Sequence, residues 1–394
     1  MGKLQVLLAG IGGYGAQYLG EFLDRENASF ELAGVADPFA ASSPRYGELE
    51  ARSVPVFKTP EEFYAVKKAD LAVISSPIHT HYPYMLTCFE NRSSILCEKP
   101  ATGSLKELDE LIALEKSTAL FAAVGFQLCF SRDVQALKKD ILNGLFGKPL
   151  EFKALRFPRR GTKYYRRNGW AGKLSFDGRV ILDSPLQNAC AHEMQVMLFL
   201  LGETMNRCAS VSTVEAELWQ ARPDIENYDA AAVRLTTGPR NASPRNASSG
   251  VKVLFFTAHC IEESTPGPVG EFHFEKALVR WGETSNEGFT AYFNDGRKKS
   301  YDETDKGKPL QKLYDVIEAV QTGIPPVCTL ETARPHLQCV TMVQQYPVKK
   351  IPQEKLAQGR AEDGDVFYYV PGLAAAFSSA YEKNLLPSEA GFTL

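Results

Sequence analysis

The stretch Leu4-Gln5-Val6-Leu7-Leu8-Ala9-Gly10-Ile11-Gly12-Gly13-Tyr14-Gly15 decides the fold. Its first six residues are a short apolar run closed by glycines, which predicts a buried parallel strand. Apolar Tyr18, Leu19, Phe22 and Leu23 then recur at helical spacing, and a second strand, Phe30 to Ala36, ends at Asp37-Pro38. A glycine turn between strand and helix has a physical purpose. The first glycine permits the tight bend, the second lets backbone approach a pyrophosphate, and the third lets the helix pack close to the sheet. Asp37 lies 22 residues past Gly15, the spacing of an acid that accepts both ribose hydroxyls of a dinucleotide. The expected cofactor contacts are therefore Gly10, Gly12, Gly13, Tyr14, Gly15 and Asp37. A carboxylate at Asp37 repels a 2′-phosphate, which favours NAD over NADP; Arg45 is the one cation read as reaching the same region.

Working outward, residues 1–127 alternate strand and helix patterns. Further strands are expected at Leu71–Ile74, Ser94–Cys97 and Leu120–Val124, and a helix at Leu105–Ile112 with Ser104 as N-cap. Repeated β-α-β units imply a parallel sheet covered on both faces, a doubly wound Rossmann domain. After residue 128 strands dominate. One helix is expected at Val134–Leu142, then strands at Leu150–Phe157, Ala230–Leu235, Val251–Ala258, Glu271–Arg280 and Thr290–Phe293. Helices are expected at Leu310–Thr322 and Leu330–Gln344, an edge strand at Val366–Val370 and a last helix at Leu373–Lys383. The tandem Pro-Arg-Asn-Ala-Ser repeat from Pro239 to Ser248 reads as an exposed loop.

Bulk properties fit this division. A chain of 394 residues, 44% hydrophobic and 23% charged, suits two soluble domains. A net charge of −3 without like-charge blocks argues against nucleic acid or an anionic membrane as partner. The start runs straight into a strand and reads as no signal peptide, and no apolar run spans a bilayer, so a cytoplasmic protein is expected. The eight cysteines form no C-x-x-C pair and predict reduced thiols and no metal site. The sequons at Asn27, Asn91, Asn241 and Asn246 are expected to be chance matches.

The fourth strand ends in Cys97-Glu98-Lys99-Pro100. Strand ends at this edge of a doubly wound sheet line the ligand crevice. A lysine there would stand beside the nicotinamide, where burial and the positive oxidised ring would both lower its pKa and make it a proton acceptor; the residues by themselves favour a surface lysine with an ordinary ion pair. Together, G-x-G-x-x-G, Asp37, Ser76-Pro77-Ile78-His79-Thr80-His81 and Glu98-Lys99-Pro100 resemble the Gfo/Idh/MocA family of oxidoreductases. The resemblance implies that Lys99 contacts cofactor and substrate and takes part in proton transfer. It implies that Ser75, Ser76 and Pro77 lie along the cofactor, with Glu98 beside them, and that His81 matches a histidine at the start of the following helix.

The resemblance reaches the second domain. Asp183-Ser184-Pro185-Leu186-Gln187-Asn188-Ala189-Cys190-Ala191-His192 precedes an apolar helix ending at Leu201-Gly202. Where the family carries D-x-G-x-H-x-x-D, this chain keeps the histidine as His192 and departs at Asn188, Cys190 and Gln195. By resemblance His192 is the general base, a role suited to a side chain that titrates near neutral pH. Asn188, four residues earlier and expected on the same helical face, orients it or bonds a substrate hydroxyl. Lacking a carboxylate there, the base is expected to have a lower pKa than in relatives with aspartate. Upstream, Arg156-Phe157-Pro158-Arg159-Arg160 and Tyr164-Tyr165-Arg166-Arg167-Asn168-Gly169-Trp170-Ala171-Gly172-Lys173 mix rings with multidentate donors, as a sugar site does. Tyr165, Asn168, Trp170 and Lys173 are the pocket candidates; the arginines suit an anionic substituent or a basic surface.

The expected protein is thus a Rossmann domain over 1–127 and a substrate-binding and oligomerisation α/β domain over 128–394, the latter on a large, open, mostly antiparallel sheet, with the active site between them. The expected reaction is hydride transfer between a secondary-alcohol carbon of a sugar or cyclitol and C4 of NAD. Open sheets of this family pair face to face, which implies a homo-oligomer, dimer or tetramer. Two other readings fit the scaffold: a glycoside hydrolase that oxidises transiently, eliminates and returns the hydride, and a non-enzymatic dinucleotide or sugar sensor, against which the retention of Lys99 and His192 argues.

Overall fold

The computed structural model describes residues 2–25, 29–238, 250–265, 267–282, 288–301 and 310–393. The sequons at Asn27, Asn241 and Asn246 and the repeat from Pro239 to Ser248 lie outside the described residues. The chain divides into two compact units. The first takes residues 1–130 and 305–334, the second 131–304 and 335–394. Residues 305–334, read above within the second domain, therefore pack with the first.

The first unit holds a parallel sheet of β1 (Leu4–Ala9), β2 (Phe30–Ala36), β3 (Val56–Phe57), β4 (Leu71–Ile74), β5 (Ser94–Cys97) and β6 (Ala122–Val124). Their order is β3-β2-β1-β4-β5-β6, the doubly wound arrangement. β4 and β5 are buried at every residue, as strands covered by helices on both faces require. Those helices are α1 (Gly15–Asp24), α2 (Tyr46–Ala51), α3 (Pro60–Tyr64), α4 (Ile78–Glu90) and α5 (Leu105–Lys116). α1 buries the expected face of Tyr18, Leu19, Phe22 and Leu23. The Ser104 hydroxyl caps α5, accepting the Glu107 N–H at 3.4 Å. Strand order reverses beside β1, so the segments after β1, β4 and β5 gather at one carboxyl edge. An open cleft lined by Asp70, Arg92, Ser94 and Phe121 lies at the opposite, amino edge of β4–β6.

The second unit begins with α6 (Arg132–Leu142) and β7 (Pro149–Arg156), then a short helix α7 (Thr162–Tyr165) and a small ladder of β8 (Ser175–Phe176) with β9 (Arg179–Val180). α8 (Ala191–Leu200) follows, then β10 (Val211–Gln220), β11 (Ala230–Thr237), β12 (Lys252–Ala258), β13 (Val269–Phe274), β14 (Ala277–Trp281), β15 (Phe289–Phe293) and β16 (Lys298–Tyr301). Two helices come next, α9 (Gln311–Thr322) in the first unit and α10 (Leu330–Val343), then β17 (Val348–Lys350), β18 (Ala357–Arg360), β19 (Val366–Tyr369) and α11 (Leu373–Lys383). The large sheet runs β16-β15-β14-β13-β7-β12-β11-β10-β17 and is antiparallel except at β7–β12 and β10–β17. Alternate residues of β12 serve opposite faces. Leu254, Phe256 and Ala258 pack against Leu373, Phe377 and Tyr381 of α11. Thr257, from the other face, donates to Cys190 Sγ at 3.1 Å, next to α8.

Three sequence expectations change. The single strand expected over Glu271–Arg280 is a hairpin, β13 and β14 turning at Glu275-Lys276; neither turn residue is a glycine, asparagine or proline, so no turn signal marked it. β19 pairs only with β18 in a separate two-stranded sheet and is no edge of the large one. β10 was not anticipated, although Val214, Ala216 and Leu218 alternate inward with Glu215 and Glu217. No helix among the described residues is long and apolar enough to cross a membrane.

Candidate functional site

In the first unit the glycine turn is built by close approach. Gly10 has φ +87°, and a Cβ there would lie 2.7 Å from Ser76 N. A Cβ on Gly15 would lie 2.2 Å from Gly10 O. Neither position has room for a side chain. Gly12 and Gly13 are different, since a Cβ on either would meet nothing within 4 Å. That open space lies before α1, which starts without a side-chain cap and with no acid in its first turn. Such a helix start turns a positive dipole end toward an anion. The turn therefore fits a dinucleotide pyrophosphate.

Asp37 closes the turn at the end of β2. Its Oδ2 accepts the Ile11 N–H at 2.9 Å and its Oδ1 the Phe39 N–H at 2.8 Å, so the carboxylate faces the glycine turn as its spacing predicts. Phe39, 77% exposed, stands two residues on. Sequence reasoning passed it over, because its exposure is not readable from the residues alone. Arg45 does not compete for this region. It forks between Asp24 (2.9 and 2.5 Å) and Glu48 (2.7 and 2.6 Å), and these partners hold its pKa above the ordinary arginine value.

The loops after β4 and β5 are tied together by His81. This fully buried ring places Nδ1 2.8 Å from Pro100 O and Nε2 2.8 Å from Ser76 O. Two carbonyls ask for two N–H groups, but burial disfavours the charge that would supply both and holds the pKa below the usual value. The ring thus braces Ser76-Pro77 against Lys99-Pro100 from below. Ser75 sits against Gly10, and Ser76 Oγ lies 2.6 Å from Thr80 Oγ1. Lys99 is half-buried. Glu98 points its carboxylate elsewhere. Its Oε1 accepts from Lys312 Nζ of α9 at 2.5 Å and from the Tyr18 hydroxyl at 2.7 Å. Lys312, 1% exposed, also lies 4.5 Å above the Tyr14 ring and donates to Gly125 O at 3.3 Å. One buried cation therefore links the E-K-P segment to the glycine turn. Nothing in the sequence around Lys312 announced this.

In the second unit Asn188 and His192 belong to different elements. Asn188 lies in a π-turn over Pro185–Ala189, and His192 is the second residue of α8. Between them Cys190, at φ −120° and ψ 24°, breaks the helical path, so the expected shared face does not form. Asn188 is instead oriented by Asp183, whose Oδ1 accepts its amide at 2.8 Å. Asp183 is buried, and its Oδ2 accepts the Gly172 N–H at 2.6 Å. The sequence reading lacked a carboxylate at position 188; the structure supplies one beside it.

The pocket candidates divide. The Tyr165 ring is buried against Ala171 and Ile225, and its hydroxyl lies 2.7 Å from His259 Nδ1. Asn168 Oδ1 holds its own turn, accepting from Trp170 N at 3.2 Å and Ala171 N at 2.9 Å. Both are spent on architecture. Trp170 and Lys173 stay half-buried; the Arg167 guanidinium lies 5.0 Å from the Trp170 ring and Lys173 Nζ 5.9 Å from the Phe176 ring. Among the described residues no group of three or more His, Cys, Asp or Glu is placed to hold a metal.

Known proteins agree with this geometry. Residues 4–126 match the model of the Gfo/Idh/MocA group, described as an oxidoreductase family with an NAD-binding Rossmann fold. An inositol 2-dehydrogenase of Mycolicibacterium smegmatis is 30% identical over 207 residues, 52% of this chain and 54% of the relative. The chain thus spans about half the length of that relative. Inositol 2-dehydrogenase 2 of Mycolicibacterium vanbaalenii is 25% identical over 332 residues, 81% of this chain and 86% of the relative. The WlbA dehydrogenase of Bordetella pertussis, solved with NADH and UDP-GlcNAcA, superposes with a TM-score of 0.67 at 19% identity, covering 87% of this chain and 96% of that one. An oxidoreductase of Agrobacterium radiobacter solved with NAD+ and L-tartaric acid gives 0.68 at 13%, covering 87% and 96%. Such low identities carry the fold alone, but the fold includes both sheets. The family match thus lies in the first unit: residues 4–126 are similar to the NAD-binding Rossmann fold of Gfo/Idh/MocA oxidoreductases.

Proposed function

We propose that the protein is an NAD-dependent dehydrogenase acting on a secondary alcohol of a sugar, cyclitol or derivative. The observation that carries this reading is the E-K-P segment: its lysine stands at the carboxyl edge of the first sheet, braced by His81 on one side and by the Glu98–Lys312 pair on the other. Bracing of that kind is what a proton-handling group needs, because catalysis depends on position held before reaction.

The nicotinamide, when bound, supplies the hydride acceptor. The rest falls to the chain. The turn at Gly12 and Gly13 takes the pyrophosphate, Asp37 the ribose hydroxyls, and Phe39 the adenine face. Lys99 and His192 are the residues read as managing the hydroxyl proton, and Asp183 sets the Asn188 amide that bonds the substrate. The preference for NAD rests on Asp37 facing the turn and on Arg45 being committed to Asp24 and Glu48. A reducing, cytoplasmic setting suits the eight free cysteines, seven of them buried. Pairing of the large sheets as a homo-oligomer belongs to the same reading and is checked by light scattering.

The test is NADH formation by the full chain against a panel of polyols, sugars and their acids. Lys99→Ala and His192→Ala should each lower turnover by about 100-fold or more while NAD still binds. The pH–rate profile should lose a limb in His192→Ala. Full turnover in either variant sinks the assignment, and glycoside cleavage without NADH replaces the dehydrogenase with transient oxidation.

A further inference from the structure

Around Tyr164 the second unit collects positive charge that Asp183 only partly neutralises. The Arg167 guanidinium lies 3.7 Å and that of Arg160 4.7 Å from the Tyr164 ring centroid. His259 meets the same ring edge-on at 5.5 Å and 78°. One tyrosine thus carries two guanidiniums and an imidazole. The carboxylates nearby are otherwise engaged. Asp183 stands 3.9 Å from Arg167, already accepting from Gly172 and Asn188. Glu193 faces Arg156 at 3.8 Å, and Asp229 accepts the backbone N–H groups of Ala221 and Arg222. Arg160 has no carboxylate partner among the described residues, and its buried Nε bonds to nothing.

His259 adds an independent observation. It is 2% exposed. Its Nδ1 is taken by the Tyr165 hydroxyl, and its Nε2 is buried without a hydrogen-bond partner among the described residues. A buried polar atom left in this state is costly unless a ligand completes it. Burial, and then Arg160 and Arg167, hold the ring well below the usual histidine pKa, so it is neutral and both guanidiniums are felt at it. Arg160 is also felt at the Cys190 thiol, two residues before His192, and Arg167 faces the carboxylate that orients Asn188. The cluster therefore adjoins the segment 188–192.

We propose that Arg160, Arg167 and His259 form a subsite for an acidic group on the substrate, which makes that substrate a carboxylated or phosphorylated sugar or cyclitol rather than a neutral one. This rests on reading the second unit as substrate-binding. Arg160, without a carboxylate partner among the described residues, and Arg167, whose Asp183 already serves Gly172 and Asn188, gain an anion by charge-assisted hydrogen bonds, and the His259 Nε2 that lacks a partner among the described residues adds a further polar contact.

Calorimetric titration of the NAD-loaded full chain tests it, with glucuronate, galacturonate and glucose 6-phosphate set against glucose and galactose. At least one acidic sugar should bind about tenfold or more tightly than its neutral parent. The uronate and phosphate arms tell which acid is taken. Arg160→Gln should abolish the preference while NAD binding, read in the same titration, persists. Arg167→Gln should weaken the same acid. Affinities of every acid within about twofold of the parent sugars overturn the subsite, as does an Arg160→Gln variant that keeps the preference. Tight binding of an acid without NADH formation overturns the dehydrogenase reading and leaves the subsite standing. NADH from neutral sugars with no preference for acids does the reverse.

Discussion

Gly10 and Gly12 are two residues apart and answer to different constraints. A methyl on Gly10 would collide with the Ser76 backbone at a φ of +87°. Gly10→Ala should therefore cost about 2 kcal/mol or more of stability, seen as a fall in melting temperature without cofactor. A methyl on Gly12 meets nothing. Gly12→Ala should melt within about 0.5 kcal/mol of the parent and lose affinity for NAD, measured by fluorescence titration. Lys312 presents the converse case of a side chain required for balance. Lys312→Met leaves the half-buried Glu98 with one partner fewer, and breaking a pair whose cation is buried costs about 3 kcal/mol. The double variant Lys312→Met with Glu98→Gln should recover part of the loss, which denaturant titration of the two proteins will show.

At the scale of elements, α5 and β6 meet at a carboxylate that is poorly placed for charge. Glu115 accepts the Ala122 N–H at 2.8 Å, and burial, opposed by that bond and reinforced by nearby Glu331, raises its pKa to about 7. A raised acid favours the folded state when protonated. Its contribution is full below the unfolded value of about 4.5, declines as pH rises toward 7, and stays lost above. Glu115→Gln keeps an acceptor for Ala122 and removes the slope. It should come close to the parent near pH 5 and exceed it by about 2–3 kcal/mol near pH 8, by melting at both. The elements themselves were legible wherever one physical rule acted alone. β1, β2, β4, β5 and α11 have the bounds read from apolar runs and caps. Legibility failed where local signals were silent or conflicted. The Glu275-Lys276 turn lacks turn residues, and the i, i+4 spacing of Asn188 and His192 presumed a helix that Cys190 interrupts. Of the candidate site, Asp37 and Lys99 could be singled out from motif and strand end. Asp183, Phe39, Lys312 and His259 did not, because what each does depends on partners far away in the chain or on exposure.

For the whole molecule, the decisive fact is that the dinucleotide-binding unit is discontinuous, completed by residues 305–334. α9 buries Lys312, Leu313, Val316 and Ile317, and Arg334 forks to Asp109 at 2.6 and 2.9 Å. A fragment of residues 1–130 should be insoluble or loosely folded by circular dichroism and bind NAD weakly. The same fragment joined by a short linker to residues 305–334 should melt cooperatively and bind it. Equal behaviour of the two fragments counts against a structural need for the returning segment. The division also sets a timetable during synthesis. Glu98 leaves the ribosome 214 residues ahead of its counterion, an interval of about 10–40 s at ordinary rates of about 5–20 residues per second. Throughout it the nascent first unit carries an acid awaiting its cation and a sheet without α9, while most of the second unit is already being made. The unit that begins first cannot close until residue 334 has been made, after most of the second, so the waiting chain is the stage at which chaperones and cofactor would meet it unfinished.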